Sequence, residues 1–166
     1  MIAEDRYCSF CARLLEKTLI QGVERPTCLK CRRVIYYDPK LAVAVVIEVN
    51  GKVIMVKRAV DPGKGLWGFP GGYVNRGERV EDGAAREVNE ETGLIVSIDR
   101  LIGLFSEPDD PIVLAVYFGY KVGGDLNSES IEVMDVEGFC LNNLPPLAFE
   151  RDSRIFEMWN ELKFYN

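Results

Sequence analysis

The 166-residue chain contains no histidine. That removes imidazole from every role it fills elsewhere, whether general base, zinc ligand or partner of a nucleophile, and leaves proton transfer to carboxylates or water. Long apolar runs are also missing: none approaches the roughly 20 residues a helix needs to cross a bilayer. Residues 1–10 carry charges but no apolar leader core. A cytoplasmic protein with no membrane partner is the expectation. Basic charge is short as well, with 20 Lys and Arg against 26 Asp and Glu, a net of -6, and no compensating lysine-arginine stripe. Such a surface repels a nucleic-acid backbone at long range, so nucleic acid is disfavoured as a ligand. With 48% apolar residues, this length supports one ordinary core and a small accessory module.

Four of the five cysteines form two matched pairs, Cys8-x₂-Cys11 and Cys28-x₂-Cys31. Their spacing is that of a four-thiolate tetrahedral zinc site. Disulfides are disfavoured without a secretion leader, and a redox Cys-x₂-Cys does not require a second pair. A closed four-cysteine site has no open coordination position, so its zinc is expected to hold a small ribbon together, not to catalyse. The run Lys30-Cys-Arg-Arg33 is either a contact for nucleic acid or a partner protein, or a solvated knuckle. Cys140 reads as a buried strand residue. Asp38-Pro39 marks a boundary, giving a ribbon over residues 1–38 and a second domain over 39–166.

In that second domain, residues 41–49 and 52–58 are β-rich runs joined by Asn50-Gly51, a pair that tolerates the positive φ angles of a two-residue hairpin turn. Residues 61–72 hold two prolines and five glycines around Leu66-Trp67-Gly68-Phe69, which predicts a loop that brings backbone close to a ligand. Residues 79–92 predict a helix, with Glu81 and Asp82 at its positive end and Gly93 as C-cap. Strands are expected over 95–105, 112–122 and 133–141. Asp152 is placed to cap a last helix whose Ile155, Phe156, Trp159 and Leu162 form an apolar stripe.

The predicted helix concentrates acid. Glu87, Glu90 and Glu91 share a face at 100° per residue. Like charges three and four residues apart repel by a few tenths of a kcal/mol per pair, so the cluster implies an absent cation, and oxygen ligands at that density suit Mg²⁺ or Mn²⁺. Arg86 is placed to hold a carboxylate in position, and Glu78 to complete or brace the set. A solvated acidic helix face is the plainer alternative. Trp67, Phe69 and Tyr73 either stack on a nucleobase or serve as core or dimer-contact aromatics. Arg58 either touches phosphate or makes a structural ion pair.

The segment GYVNRGERVEDGAAREVNEETGL, residues 72–94, places Gly72, Glu78, Arg86-Glu87, Glu90-Glu91 and Gly93 at the spacing of the Nudix box. Over roughly residues 40–165 the chain resembles the Nudix hydrolases. The resemblance implies an α+β fold, specifically an α/β/α sandwich around a mixed sheet, behind a small zinc ribbon. It implies metal-dependent hydrolysis of a small-molecule nucleoside diphosphate derivative, with Glu87, Glu90 and Glu91 as metal-binding and catalytic glutamates and the Gly71 carbonyl as a further ligand. One more acidic ligand or base is implied outside the box: Glu132 or Asp135, with Glu107, Asp109 and Asp110 as rivals. A cysteine ribbon ahead of such a domain resembles the NADH, FAD and ADP-ribose pyrophosphatase group. NADH-cleaving members carry Ser-Gln-Pro-Trp-Pro-Phe-Pro where this chain has Phe105-Ser-Glu-Pro-Asp-Asp-Pro111, and Pro108 lies near a proline of ADP-ribose-type members. Homodimers are common among the proteins it resembles, although the sequence is silent on oligomeric state, and the resemblance leaves two rivals: a catalytically silent nucleotide-sensing or scaffold protein, and an RNA-end processing hydrolase.

Overall fold

Three short strands form from the cysteine-bearing segment: β1 (Glu16–Ile20), β2 (Val23–Cys28) and β3 (Arg33–Val34), an antiparallel sheet in the order β1-β2-β3. The computed structural model describes residues 5–164 and divides into two compact units between Pro39 and Lys40.

The second unit continues with β4 (Lys40–Val49), β5 (Lys52–Arg58), β6 (Trp67–Gly68), β7 (Gly71–Tyr73), α1 (Val80–Thr92), β8 (Leu94–Phe105), β9 (Ile112–Gly124), β10 (Val133–Phe139) and α2 (Glu150–Phe164). The main sheet runs β10-β5-β4-β9-β8, with β6 on β5 and β7 on β4. It is mixed, because β4 and β9 run parallel while the other pairs are antiparallel. Asn50 at φ 53° and Gly51 at φ 74° close the β4–β5 hairpin, as their dipeptide predicts.

β4 is the axis of this unit. Its sequence KLAVAVVIEV is apolar almost throughout, the pattern of a strand covered on both faces. Ala42, Ala44 and Val46 join one core with Met55, Trp67, Phe69, Ile155 and Trp159. Val43, Val45 and Ile47 join the other with Ala84, Val88 and Leu94. Helix α2 therefore covers one face of the sheet and α1 the other, completing the α/β/α sandwich. The α2 stripe packs inward as its spacing predicts.

Trp67 and Phe69 take up the core alternative, and two expectations are corrected. Trp67 and Phe69 are each only 8% exposed: β6 pairs Trp67 onto β5, where it meets Phe139 edge-on, and Phe69, just after β6, packs on Phe156 while still bordering the cavity described below. Cys140 is exposed, because β10 ends at Phe139. Asp152 is not the cap of α2, since the helix already begins at Glu150 and Asp152 lies buried in its first turn. No helix among the described residues is long and apolar enough to cross a membrane.

Candidate active site and metal centres

The four N-terminal cysteines converge. Their sulfurs all lie within 4.8 Å of one another, and Cys11 Sγ stands 3.6 Å from Cys28 Sγ, far beyond a disulfide bond of about 2.05 Å. Zn–S bonds of about 2.3 Å at tetrahedral angles would set sulfurs roughly 3.8 Å apart, so the donor set fits zinc. The two pairs are built alike: Ala12 at φ 55° and Arg32 at φ 53° each follow the second cysteine of a pair in left-handed backbone, turning both knuckles inward without a glycine to signal it. Hydrogen bonding with Cys11, then burial, pushes the Cys31 thiol up to about 12. That crowding of protons on sulfur is what a cation would relieve.

The second site begins at two glycines. Gly71 and Gly72 pair with Ala44 and Val43 of β4, and each has a reason to lack a side chain. A Cβ on Gly71 would lie 2.7 Å from Ala44 Cα and press on the Val43 carbonyl. One on Gly72 would lie on the Glu87 carboxylate, 2.5 Å from its Cδ. The obstacles differ in kind, as backbone cannot yield whereas a side chain can swing away. Gly71→Ala is therefore expected to destabilise the domain by about 1–3 kcal/mol or more, read as a fall in Tm. Gly72→Ala should leave Tm within a few degrees while displacing Glu87 and cutting activity at least ~10-fold. Equal loss of stability in both would contradict this division.

Helix α1 presents the acids over these glycines. Arg86 is the hub: it donates from Nε and Nη2 to Glu78 at 2.8 and 3.0 Å, from Nη1 to Glu87 Oε1 at 2.8 Å and Glu90 Oε2 at 3.2 Å, and from Nη2 to the Tyr73 carbonyl at 3.1 Å. The guanidinium, with the Asn75 N–H, holds Glu78 at about 2. Glu87 is raised by burial, against the pull of Arg86. Glu91 is 7% exposed, its Oε2 accepts from the Gly71 N–H at 2.8 Å, and burial pushes it up to about 7, with Glu87 and Glu132 adding to the rise. At the far end Gly93 caps α1 at φ 73°.

The glycines, Arg86, Glu87, Glu90 and Glu91 line a cavity of about 790 Å³, within the range that takes a nucleotide-sized ligand. Glu87, Glu90, Glu91, Arg86, Gly71, Gly72, Tyr73 and Arg58 all reach it. So do Glu132 and Asp110, whereas Glu78, Trp67, Asp135, Glu107 and Asp109 are not part of its wall. Asp135 sits in the bulged start of β10 and takes the Val136 N–H, while Glu107 pairs with Arg154. Tyr73 is half exposed, with the Lys40 ammonium 5.2 Å from its ring. Arg58 Nε donates to the Pro62 carbonyl at 2.7 Å, with its guanidinium over Phe149. Sequence reasoning missed Arg151 and Asp152, cavity residues from α2 that carry no motif.

The donor set suits a hard divalent cation: carboxylate oxygens on one wall, one of them raised by burial and then by its acidic neighbours, beside a glycine backbone that no side chain covers. A buried acid raised above its unfolded value binds an extra proton in the native state, so metal-free stability should fall as pH rises from about 4.5 to about 7, by up to about 3 kcal/mol. Glu78 acts only below that window, since its folded value is depressed. In chelator, Tm is expected to drop between pH 5 and 8 in the wild type and to drop less in Glu91→Gln, where the raised Asp152 and Glu87 carboxyls still act in the same direction, and magnesium or manganese should raise Tm more at pH 8 than at pH 5. Parallel pH curves for the two proteins would refute it.

The NUDIX domain profile matches residues 38–159. A protein of Methanocaldococcus jannaschii named ADP-ribose pyrophosphatase is 40% identical over 125 residues, 73% of each chain. The NAD-capped RNA hydrolase NudC of Pseudomonas aeruginosa is 26% identical over 149 residues, 89% of this chain, which spans about half, 52%, of that relative. Among solved structures, a NUDIX hydrolase from Nitrosomonas europaea superposes at TM-score 0.90 with 28% identity, covering 98% of this chain and 94% of that one.

Proposed function

Because this chain belongs to the Nudix family of pyrophosphohydrolases, we propose that it hydrolyses the pyrophosphate bond of an ADP-containing dinucleotide or nucleotide sugar, with ADP-ribose as the foremost substrate. The observation that carries this reading is the carboxylate wall of Glu87, Glu90, Glu91 and Glu132 facing a nucleotide-sized cavity. The 40% identity to an ADP-ribose pyrophosphatase supports the choice of substrate.

Glu87, Glu90 and Glu91, the Gly71 carbonyl and Glu132 are the groups that would hold magnesium or manganese. Such cations, when bound, neutralise the nonbridging oxygens of a diphosphate. Arg86 positions Glu87 and Glu90, and braces itself on Glu78. Arg58 offers positive charge across the cavity, and Tyr73 an exposed ring for a base. Water attacks one phosphorus, the bridging P–O bond breaks, and a carboxylate of the cluster takes the water's proton. With no histidine in the chain, a carboxylate facing the cavity is the base at hand. Two monophosphates leave.

A second reading rests on the NudC alignment, which is too long to lie within the second unit alone and so takes in part of the ribbon. In it, the same chemistry acts on a dinucleotide at an RNA end. Chromatography of products after incubation with ADP-ribose, NADH, FAD, diadenosine polyphosphates and NAD-capped RNA, each with magnesium or manganese, separates these readings. AMP and ribose 5-phosphate from ADP-ribose are expected. Nucleotide binding without turnover of any of them would instead mark a silent sensor.

A further inference from the structure

The cavity has another wall, and the hydrolytic chemistry leaves it unused. It comes from the first turn of α2, where Asp152 Oδ2 and Arg151 Nε are both shut off from solvent and have no hydrogen-bond partner. Both residues line the cavity, and Asp152 is only 3% exposed. The Arg151 guanidinium lies 4.4 Å from the centre of the Phe149 ring, and Arg58 approaches the same ring at 5.2 Å. A Cβ at Gly68 would be 3.7 Å from Asp152 Oδ2, so the carboxylate borders backbone there without a donor to meet it.

A negative charge near a helix N-terminus is favourable in itself. That benefit does not require burial, and it leaves Oδ2 unmatched. Buried polar atoms are almost always paired, so a buried acceptor and a buried donor without partners, on two successive residues of a cavity wall, point to a ligand of complementary pattern. Burial pushes the Asp152 carboxyl up to about 6, against the pull of Arg151, the Phe149 N–H and Arg58; at pH 7.5 it is an acceptor.

Resting on the pyrophosphohydrolase reading above, we infer that Asp152 and Arg151 read the nucleoside half of the substrate, Asp152 Oδ2 accepting from an N–H or O–H donor and Arg151 Nε donating to a neighbouring acceptor. They set specificity and take no part in bond breaking. Adenine presents an exocyclic amine beside a ring nitrogen acceptor, and ribose presents hydroxyls of both senses. Hypoxanthine replaces the amine by a carbonyl, which would set one acceptor against another.

The test is calorimetric titration of AMP, IMP and 2′-deoxy-AMP into the wild type and Asp152→Asn at pH 7.5, paired with kcat and KM for ADP-ribose and its hypoxanthine and 2′-deoxyadenosine counterparts. The wild type should bind AMP about tenfold or more tightly than at least one analogue, and Asp152→Asn should shrink that ratio about tenfold, through KM and not kcat. A helix-stabilising role alone would not move the ratio. Discrimination against IMP assigns the base amine, and against 2′-deoxy-AMP the ribose. If Asp152→Asn fails to fold, Arg151→Met, which keeps the stem on Phe149, should weaken AMP about tenfold. Equal binding of all three by the wild type, no AMP binding, or a ratio untouched by the substitutions would overturn the inference. Asp152-dependent AMP binding in a protein that cleaves no diphosphate would sink the hydrolase reading and leave this one standing.

Discussion

Glu91→Gln is expected to lower kcat/KM for ADP-ribose by about 10²- to 10⁴-fold while leaving the fold intact. The substitution keeps an oxygen for the Gly71 N–H and removes a charge that burial already disfavours, so metal-free Tm at pH 8 should hold or rise. The loss is therefore chemical, because the site forfeits an anionic oxygen between Glu87 and the glycine backbone. Divalent affinity, followed by calorimetry, should fall with activity. Turnover within about threefold of wild type would remove Glu91 from the ligand set and with it the main support for the proposed chemistry.

The second large effect belongs to the ribbon. Cys28 is fully buried at the end of β2, pairs with Arg33 of β3, and accepts the Cys31 N–H at 3.5 Å. Its unit has three short strands and few buried apolar side chains, with Phe10, Leu19 and Leu29 all exposed. A core that small does not hold a fold unaided, whereas a structural zinc contributes on the order of 10–16 kcal/mol of binding. Cys28→Ser should thus take bound zinc from about one per chain to near zero, measured by metal analysis, and expose the ribbon to proteolysis. The catalytic unit has its own two cores and should keep its own melting transition. Unchanged zinc content would refute the four-thiolate assignment.

What the sequence made legible is what local spacing controls. The acidic helix, its Gly93 cap, the Asn50-Gly51 hairpin and the paired cysteines each depend on residues within a few positions of one another, and each stands where the pattern places it. Pairing across the sheet is a different matter. Nothing local says that β4 lies parallel to β9, since that neighbour is some seventy residues away. The same distance hides which late acid reaches the cavity: Glu132 and Asp135 read alike in sequence, and only the pairing of β10 on β5 turns one toward the site and leaves the other at a bulge. The flat rings of Trp67 and Phe69 suit a stacked base or a core equally, and local sequence does not choose between them. A two-residue strand, β6, is enough to fold Trp67 into the core, and Phe69 follows it onto Phe156. Asp152 carries the signal of a helix cap, yet its helix starts earlier and its burial comes from tertiary packing.

The rim carrying Gly71 and Gly72 is sewn to β4 along its whole length. Val45 donates to the Pro70 carbonyl and Val74 to that of Leu41, with Ala44, Val43 and Ala42 facing Gly71, Gly72 and Tyr73 in register. β4 is also the strand that both hydrophobic layers grip. This lip of the cleft has no private hinge, so freeing it means breaching the deepest part of the domain, and its opening belongs with the rarest, near-global fluctuations.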